Sequence, residues 1–161
     1  MTPHRWLSVV LMLLLAAALP GLAVGLAPEG PAAGPPALAP EIEPNDFPWE
    51  ANTISGWRQA HINPAGDIDQ YVLNANCEGL GLAITTRIPA GSPVQPLVTV
   101  HNANMDVLAS AVCTNASPCI SLSEPLSGGC GLVVEDANGH GGPAYAYAVQ
   151  ALLLDLHEPN D

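Results

Sequence analysis

From about Trp57 onward the chain alternates between apolar and other residues. Tyr71 and Leu73 interleave with Gln70, Val72 and Asn74, and Leu80, Leu82 and Ile84 interleave with Gly81, Ala83 and Thr85. The rhythm returns at Val98 and Val100, at Ile120 and Leu122, and at Leu132 and Val134. It runs longest over Tyr145, Tyr147, Val149, Ala151 and Leu153. Successive side chains of a strand point to opposite faces, so a period of two predicts strands with one face buried. Between these runs stand NPAGD (63–67), PAGSP (89–93), SGG (127–129) and NGHGGP (138–143). All are turn-forming clusters of proline, glycine and asparagine. About seven or eight short strands at this spacing predict an all-β chain folded as an antiparallel, jelly-roll-like β-sandwich. Helical periodicity is absent after the first 23 residues, and Phe47 to Ile54 has room for a single turn.

The N-terminus follows another rule. Residues 1–5 carry Arg5, and Leu7 to Leu19 is apolar apart from Ser8; Pro20, Gly21 and Ala23 then supply a break and small residues. This order predicts a secretory signal peptide over residues 1–23, too short for a membrane span and leaving none once cleaved. Residues 24–40, ending LAPEGPAAGPPALAP, predict a stiff extended linker, because proline removes donors and alanine and glycine bring little to bury. The β-domain is expected at 41–155. EPND occurs at 43–46 and again at 158–161, so residues 156–161 read as the start of a second linker or repeat.

The formal charge is −12, with three arginines, no lysine and 15 acidic residues. Nucleic-acid backbones need clustered basic residues, so a nucleic-acid partner is excluded, and an anionic membrane would repel the chain. The four cysteines, Cys77, Cys113, Cys119 and Cys130, all follow the signal and predict two disulfides in an oxidising compartment. Three pairings are open. One is a local clip, since Cys113 and Cys119 flank a turn-like TNASP insert; it would leave Cys77 with Cys130. Zinc is the rival use of these thiols, but no C-x-x-C spacing is present.

The acidic residues are not spread evenly. Glu41, Glu43, Asn45 and Asp46 crowd one short segment, and Asp67 and Asp69 precede a strand. In extended chain Glu41, Glu43 and Asn45 share one face, as do Asp67 and Asp69. Hard oxygen donors in this number suit Ca²⁺, which takes 6–8 oxygens, better than Mg²⁺ with its strict octahedron. Carboxylates brought together without a cation would repel one another.

At this point the chain resembles a family. E-x-E-P-N-D (41–46), then A-N-x-I (51–54), then G-D-x-D-x-Y (66–71) and a string of strands is similar to the bacterial pre-peptidase C-terminal domain and the related collagen-binding domains of clostridial collagenases. The resemblance spans Glu41 to about Asp155 and implies a small β-sandwich carried by exported peptidases and other exported proteins. In the calcium-binding members the acidic segment and the aspartates before the strand tyrosine hold the metal. Residue by residue, that implies Glu41, Glu43, Asn45, Asp46, Asp67 and Asp69, with Asp69 the best match. The chain departs from the family at Gly128-Gly129-Cys130, where G-x-Y is usual; a Cys77–Cys130 bridge would replace the missing aromatic tie. The aromatics outside the signal (Phe47, Trp49, Trp57, Tyr71, Tyr145 and Tyr147) fall mostly where core packing is expected, so collagen binding is not predicted.

Catalysis has little to build on. His61, His101, His140 and His157 follow no metal-ligand spacing, and G-x-S-x-G is absent. The sequence therefore predicts a secreted, extracellular or periplasmic module that is not an enzyme. Its expected partners are a fused or neighbouring peptidase, another exported domain, or an extracellular polymer. The alternatives are a metal-free structural protein of the cell envelope and, behind it, a small secreted hydrolase.

Overall fold

The computed structural model describes residues 38–73, 76–115 and 118–156. The expected signal, the linker up to residue 37 and the terminal EPND lie outside the described residues. Ten strands form among those described: β1 (Ala39–Pro40), β2 (Asn52–Ile54), β3 (Arg58–His61), β4 (Ile68–Leu73), β5 (Gly81–Arg87), β6 (Pro96–Asn102), β7 (Val107–Val112), β8 (Ile120–Leu122), β9 (Cys130–Asp136) and β10 (Ala146–Leu154). They build two five-stranded sheets packed as a sandwich, in the orders β1-β3-β10-β5-β8 and β2-β4-β9-β6-β7.

The expected all-β sandwich is what forms, with more strands and mixed pairing. Most pairs are antiparallel, but β1 lies parallel to β3 and β2 parallel to β4. Strands β1 and β2 are two and three residues long, too short to show a period in sequence. The end of the linker also joins the domain. Ala39 pairs with Arg58 and Pro40 with Gln59, an edge position where a proline with no N–H is tolerated.

The alternating residues supply the core. Tyr71, Leu82, Ile84, Val98, Val100, Leu132, Val134, Tyr147 and Val149 are all buried between the sheets. Their partners on the other face are mostly half-buried or exposed, as on β5 and β6. Fully burying an aliphatic or aromatic side chain of this size contributes about 1.5–3 kcal/mol, so this set drives the packing of the sheets.

The cystines cross-tie the frame. Cys113 pairs with Cys119 and Cys77 with Cys130, and no described cysteine is free. The first bridge spans the corner where the chain leaves β7 in one sheet for β8 in the other. The second closes a separation of 53 residues, which by chain entropy is worth about 4 kcal/mol, against about 2 kcal/mol for the six-residue clip.

Two aromatics depart from the expected core packing. Phe47 and Trp49 stack on each other with ring centroids 4.8 Å apart, and Trp49 is 78% exposed. They sit in a turn closed by the Glu50 N–H on the Phe47 carbonyl, which holds them outside both sheets. Tyr71 and Tyr147 do pack inside.

Candidate metal centre

The segment after β1 crosses from one sheet to the other, and its backbone is laced to both. The Glu41 N–H donates to the Gln59 carbonyl of β3, and the Gln70 N–H of β4 donates to the Asn45 carbonyl. Asn52, on β2, clamps Ile42 from both sides. Its Oδ1 accepts the Ile42 N–H and its Nδ2 donates to the Ile42 carbonyl, each at 2.8 Å. Gln70 Nε2 donates to the Asp46 carbonyl at 2.6 Å. Residues 41–46 are thus fixed over one end of the sandwich.

Period-two geometry brings Asp69 to the same place. On β4 it shares the inward face with Tyr71 and Leu73, so a carboxylate stands where an apolar side chain is usual. It is fully buried. Carboxylate oxygens of Glu41, Glu43 and Asp69 all lie within 4.8 Å of one another, with Glu43 exposed and Glu41 half-buried. A cavity of about 250 Å³ opens beside Glu41 and Glu43, lined also by His61, Asn63 and Pro143.

Hydroxyls run between the carboxylates through the core. Tyr147, on β10, donates to Asp69 Oδ2 at 2.6 Å, and its hydroxyl lies 2.8 Å from that of Tyr71 on the opposite sheet. The Tyr71 hydroxyl also lies 3.4 Å from Glu41 Oε2. Glu41 Oε1 accepts the His61 N–H at 2.7 Å. Burial and the neighbouring anions push both tyrosine hydroxyls above their ordinary pKa, so they remain donors.

The carboxyls are held far from their ordinary state. Burial, then the charge of Glu41, pushes Asp69 up to about 9, against the opposing hydrogen bond from Tyr147. Burial raises Glu41, and burial with the charges of Glu41 and Asp67 raises Glu43. With the oxygens of Glu41 and Asp69 this close, the metal-free pair favours keeping a proton over holding two charges. The described arginines are engaged elsewhere. Arg58 donates to the Pro40 and Thr53 carbonyls, and Arg87 lies over the Trp57 ring.

The six residues singled out in the sequence do not play one part. Glu41, Glu43 and Asp69 converge. Asn45 is buried behind them; oriented to satisfy its neighbours, its amide NH₂ donates to Glu43 Oε2 and Asp69 Oδ1 while its oxygen accepts from Asn52 Nδ2. That makes it a support for the carboxylates. Asp67 Oδ2 accepts the Asn63 N–H at 2.6 Å, closing the turn before β4. Burial and the neighbouring Asp46 carboxyl raise Asp67, and these two aspartates line a separate cavity of about 270 Å³ with Phe47 and Pro64. Tyr147, Asn52 and Gln70 were not anticipated. Tyr147 carried a signal in its inward phase on the longest alternating run, and Asn52 in its place in A-N-x-I (51–54).

No family model matches this sequence, and no curated protein matches it. Among solved structures, the chain is similar to the pre-peptidase C-terminal domain of a collagenase from Bacillus anthracis. The match has a TM-score of 0.46 and 14% identity, and it covers 63% of this chain and 92% of that one. The overlap is loose, and the assignment of the fold rests on the two sheets themselves.

The donor set fits a hard divalent cation. Three carboxylates within reach of one another, one of them buried, offer the oxygen ligands that calcium prefers. Among the described residues no basic side chain pairs with Asp69, so a cation there would supply the charge balance that a proton otherwise gives.

Proposed function

We propose that this chain is a non-catalytic accessory module of an exported protein. In this reading a calcium ion held by Glu41, Glu43 and Asp69 fixes the segment that leads into its sandwich. The observation that carries the reading is Asp69, a fully buried carboxylate on the core face of β4, facing two further carboxylates. When bound, the ion supplies charge neutralisation and a cross-link. The chain's own residues do the rest: Asn45 and Tyr147 orient Asp69, and Asn52 and Gln70 hold the crossing segment in register.

A module of this kind offers its host a stable, soluble unit whose junction stiffens where calcium is plentiful. The paired cysteines support an oxidising, extracellular or periplasmic setting. Its partner in this reading is a fused or neighbouring peptidase, another exported domain or an extracellular polymer.

The test is thermal unfolding in EDTA and then in excess calcium. A ligand that binds only the folded state adds about 2.7 kcal/mol at a hundredfold excess over its dissociation constant, and the midpoint should rise accordingly. An identical midpoint in both solutions would remove the metal from the account.

A further inference from the structure

Four strands end the two sheets, and three of them are blunted. β1 has two residues including Pro40, while β2 and β8 have three each. Short edges and proline are devices that keep sheet edges from pairing with other chains. β7 differs. It has six residues, contains no proline, and no other described strand pairs with its outer side. From Val107 to Ser123 the sequence has no Asp, Glu, Lys or Arg, in a chain whose formal charge is −12. Val107, Leu108 and Val112 are all exposed on it.

The ladder shows which backbone groups are open. The Cys113 N–H donates to the Pro96 carbonyl at 2.7 Å, and β7 and β6 pair in register from Val112↔Leu97 to Ala109↔Val100. Hydrogen-bonded and non-bonded pairs alternate in an antiparallel ladder. Ala111 and Ala109 therefore turn their N–H and C=O toward β6, while Val112 and Ser110 turn theirs outward. The 2.9 Å contact between the Thr99 and Ser110 hydroxyls agrees, because non-bonded pairs bring side chains closest. A register shift at Val100/His101 confines the regular stretch to Ala109–Val112, with Leu108 next to it.

We propose that β7 pairs antiparallel with β7 of a second copy of this chain, about a two-fold axis at Ser110. The sequence is self-complementary in that register. Ser110 faces Ser110, Leu108 faces Val112 and Ala109 faces Ala111, so polar meets polar, apolar meets apolar and small meets small. Pairs of these kinds are the ones that stabilise neighbouring strands. The paired strands carry no charge of their own, and Asp106, just before β7, would stand opposite Thr114 of the second copy instead of opposite another carboxylate. An isologous contact of this kind closes at two subunits. The proposal is independent of calcium.

The mass of the purified chain in solution tests it, measured by light scattering across a dilution series in EDTA and in calcium. A dimer that dissociates on dilution is expected in both. Ser110→Lys, at an exposed position, sets two positive charges opposite each other and should raise the dimer dissociation constant by at least about tenfold while leaving the melting curve of the monomer intact. Val112→Lys is the second variant, for the event that the first fails to fold. Ser110→Cys sets two thiols opposite each other and should be joined by a short bis-maleimide cross-linker, since a hydrogen-bonded pair has Cα atoms about 5.5 Å apart, whereas Ser55→Cys should not. A monomer at every concentration overturns the proposal. So does a dimer that survives both lysine variants and gives no cross-link at position 110.

Discussion

Asp69 and Asp136 are both buried aspartates, and they are buried in opposite ways. Asp136 closes the turn after β9 and is surrounded by donors. Its Oδ1 accepts the Gln95 N–H at 2.8 Å, and its Oδ2 accepts the N–H groups of Asn138 and His140 at 3.1 Å each. Asp69 has Tyr147 and Asn45 as donors but faces Glu41 and Glu43 as well. A carboxylate ringed by backbone N–H groups is complete as it stands. One ringed partly by other carboxylates is incomplete until a proton or a cation arrives. Burial therefore does not separate a structural acid from a ligand; the sign of the neighbours does.

The contrast can be broken first at Asp136. Asp136→Ala strands three backbone donors and should cost about 3 kcal/mol, since hydrogen bonds to a charged group are worth about 1.5–3 kcal/mol each and partial rehydration recovers some of that. Urea unfolding should give the same loss in EDTA and in calcium. A loss that depends on calcium would make Asp136 part of the metal centre.

The second effect is on pH. In the metal-free folded chain Asp69 titrates at about 9 rather than at 3.8, so between those values the folded state holds a proton that the unfolded state has released. Stability must then fall as pH rises through that window, on the order of 2 kcal/mol from pH 5 to pH 8 after allowing for its coupling to Glu41. Calcium should flatten the slope, because the bound cation takes the place of the proton. Midpoints in EDTA that rise over that range would contradict the assignment.

Tyr147→Phe should have the smallest effect, about 1 kcal/mol in chelator, from the loss of one hydroxyl donor to Asp69. The loss should be smaller in calcium, where the ion orients Asp69 as well. A loss that grows in calcium would show that the hydroxyl serves the metal-bound form more than the empty one.

The sequence made part of this readable. Alternation over Leu80–Ile84 and Tyr145–Leu153 foretold buried faces because each strand there is long enough to show a period. β1 and β2 are too short for that, and their parallel pairing depends on a crossing segment held by Asn52 and Gln70, contacts between residues far apart in the chain. The family resemblance pointed to Asp69, two residues before Tyr71, and a period of two puts it on that tyrosine's face. It could not separate Glu41 and Glu43 from Asp46 and Asp67, because that division is made by the turn at 63–67, where Asp67 is engaged by the Asn63 N–H. Phe47 and Trp49 belong to a set of aromatics whose positions mostly predict core packing. A turn outside both sheets leaves these two in water.

If the carboxylates around Asp69 are held for a cation, as proposed, melting Asp69→Asn beside the unaltered chain at pH 8 will show it. Asparagine keeps the size and can still accept from Tyr147, but it carries no charge. In EDTA the variant should melt higher than the unaltered chain, and calcium should raise only the unaltered chain. If the variant melts lower in EDTA, or gains as much from calcium, Asp69 is an ordinary buried acid and the ion, if any, sits elsewhere.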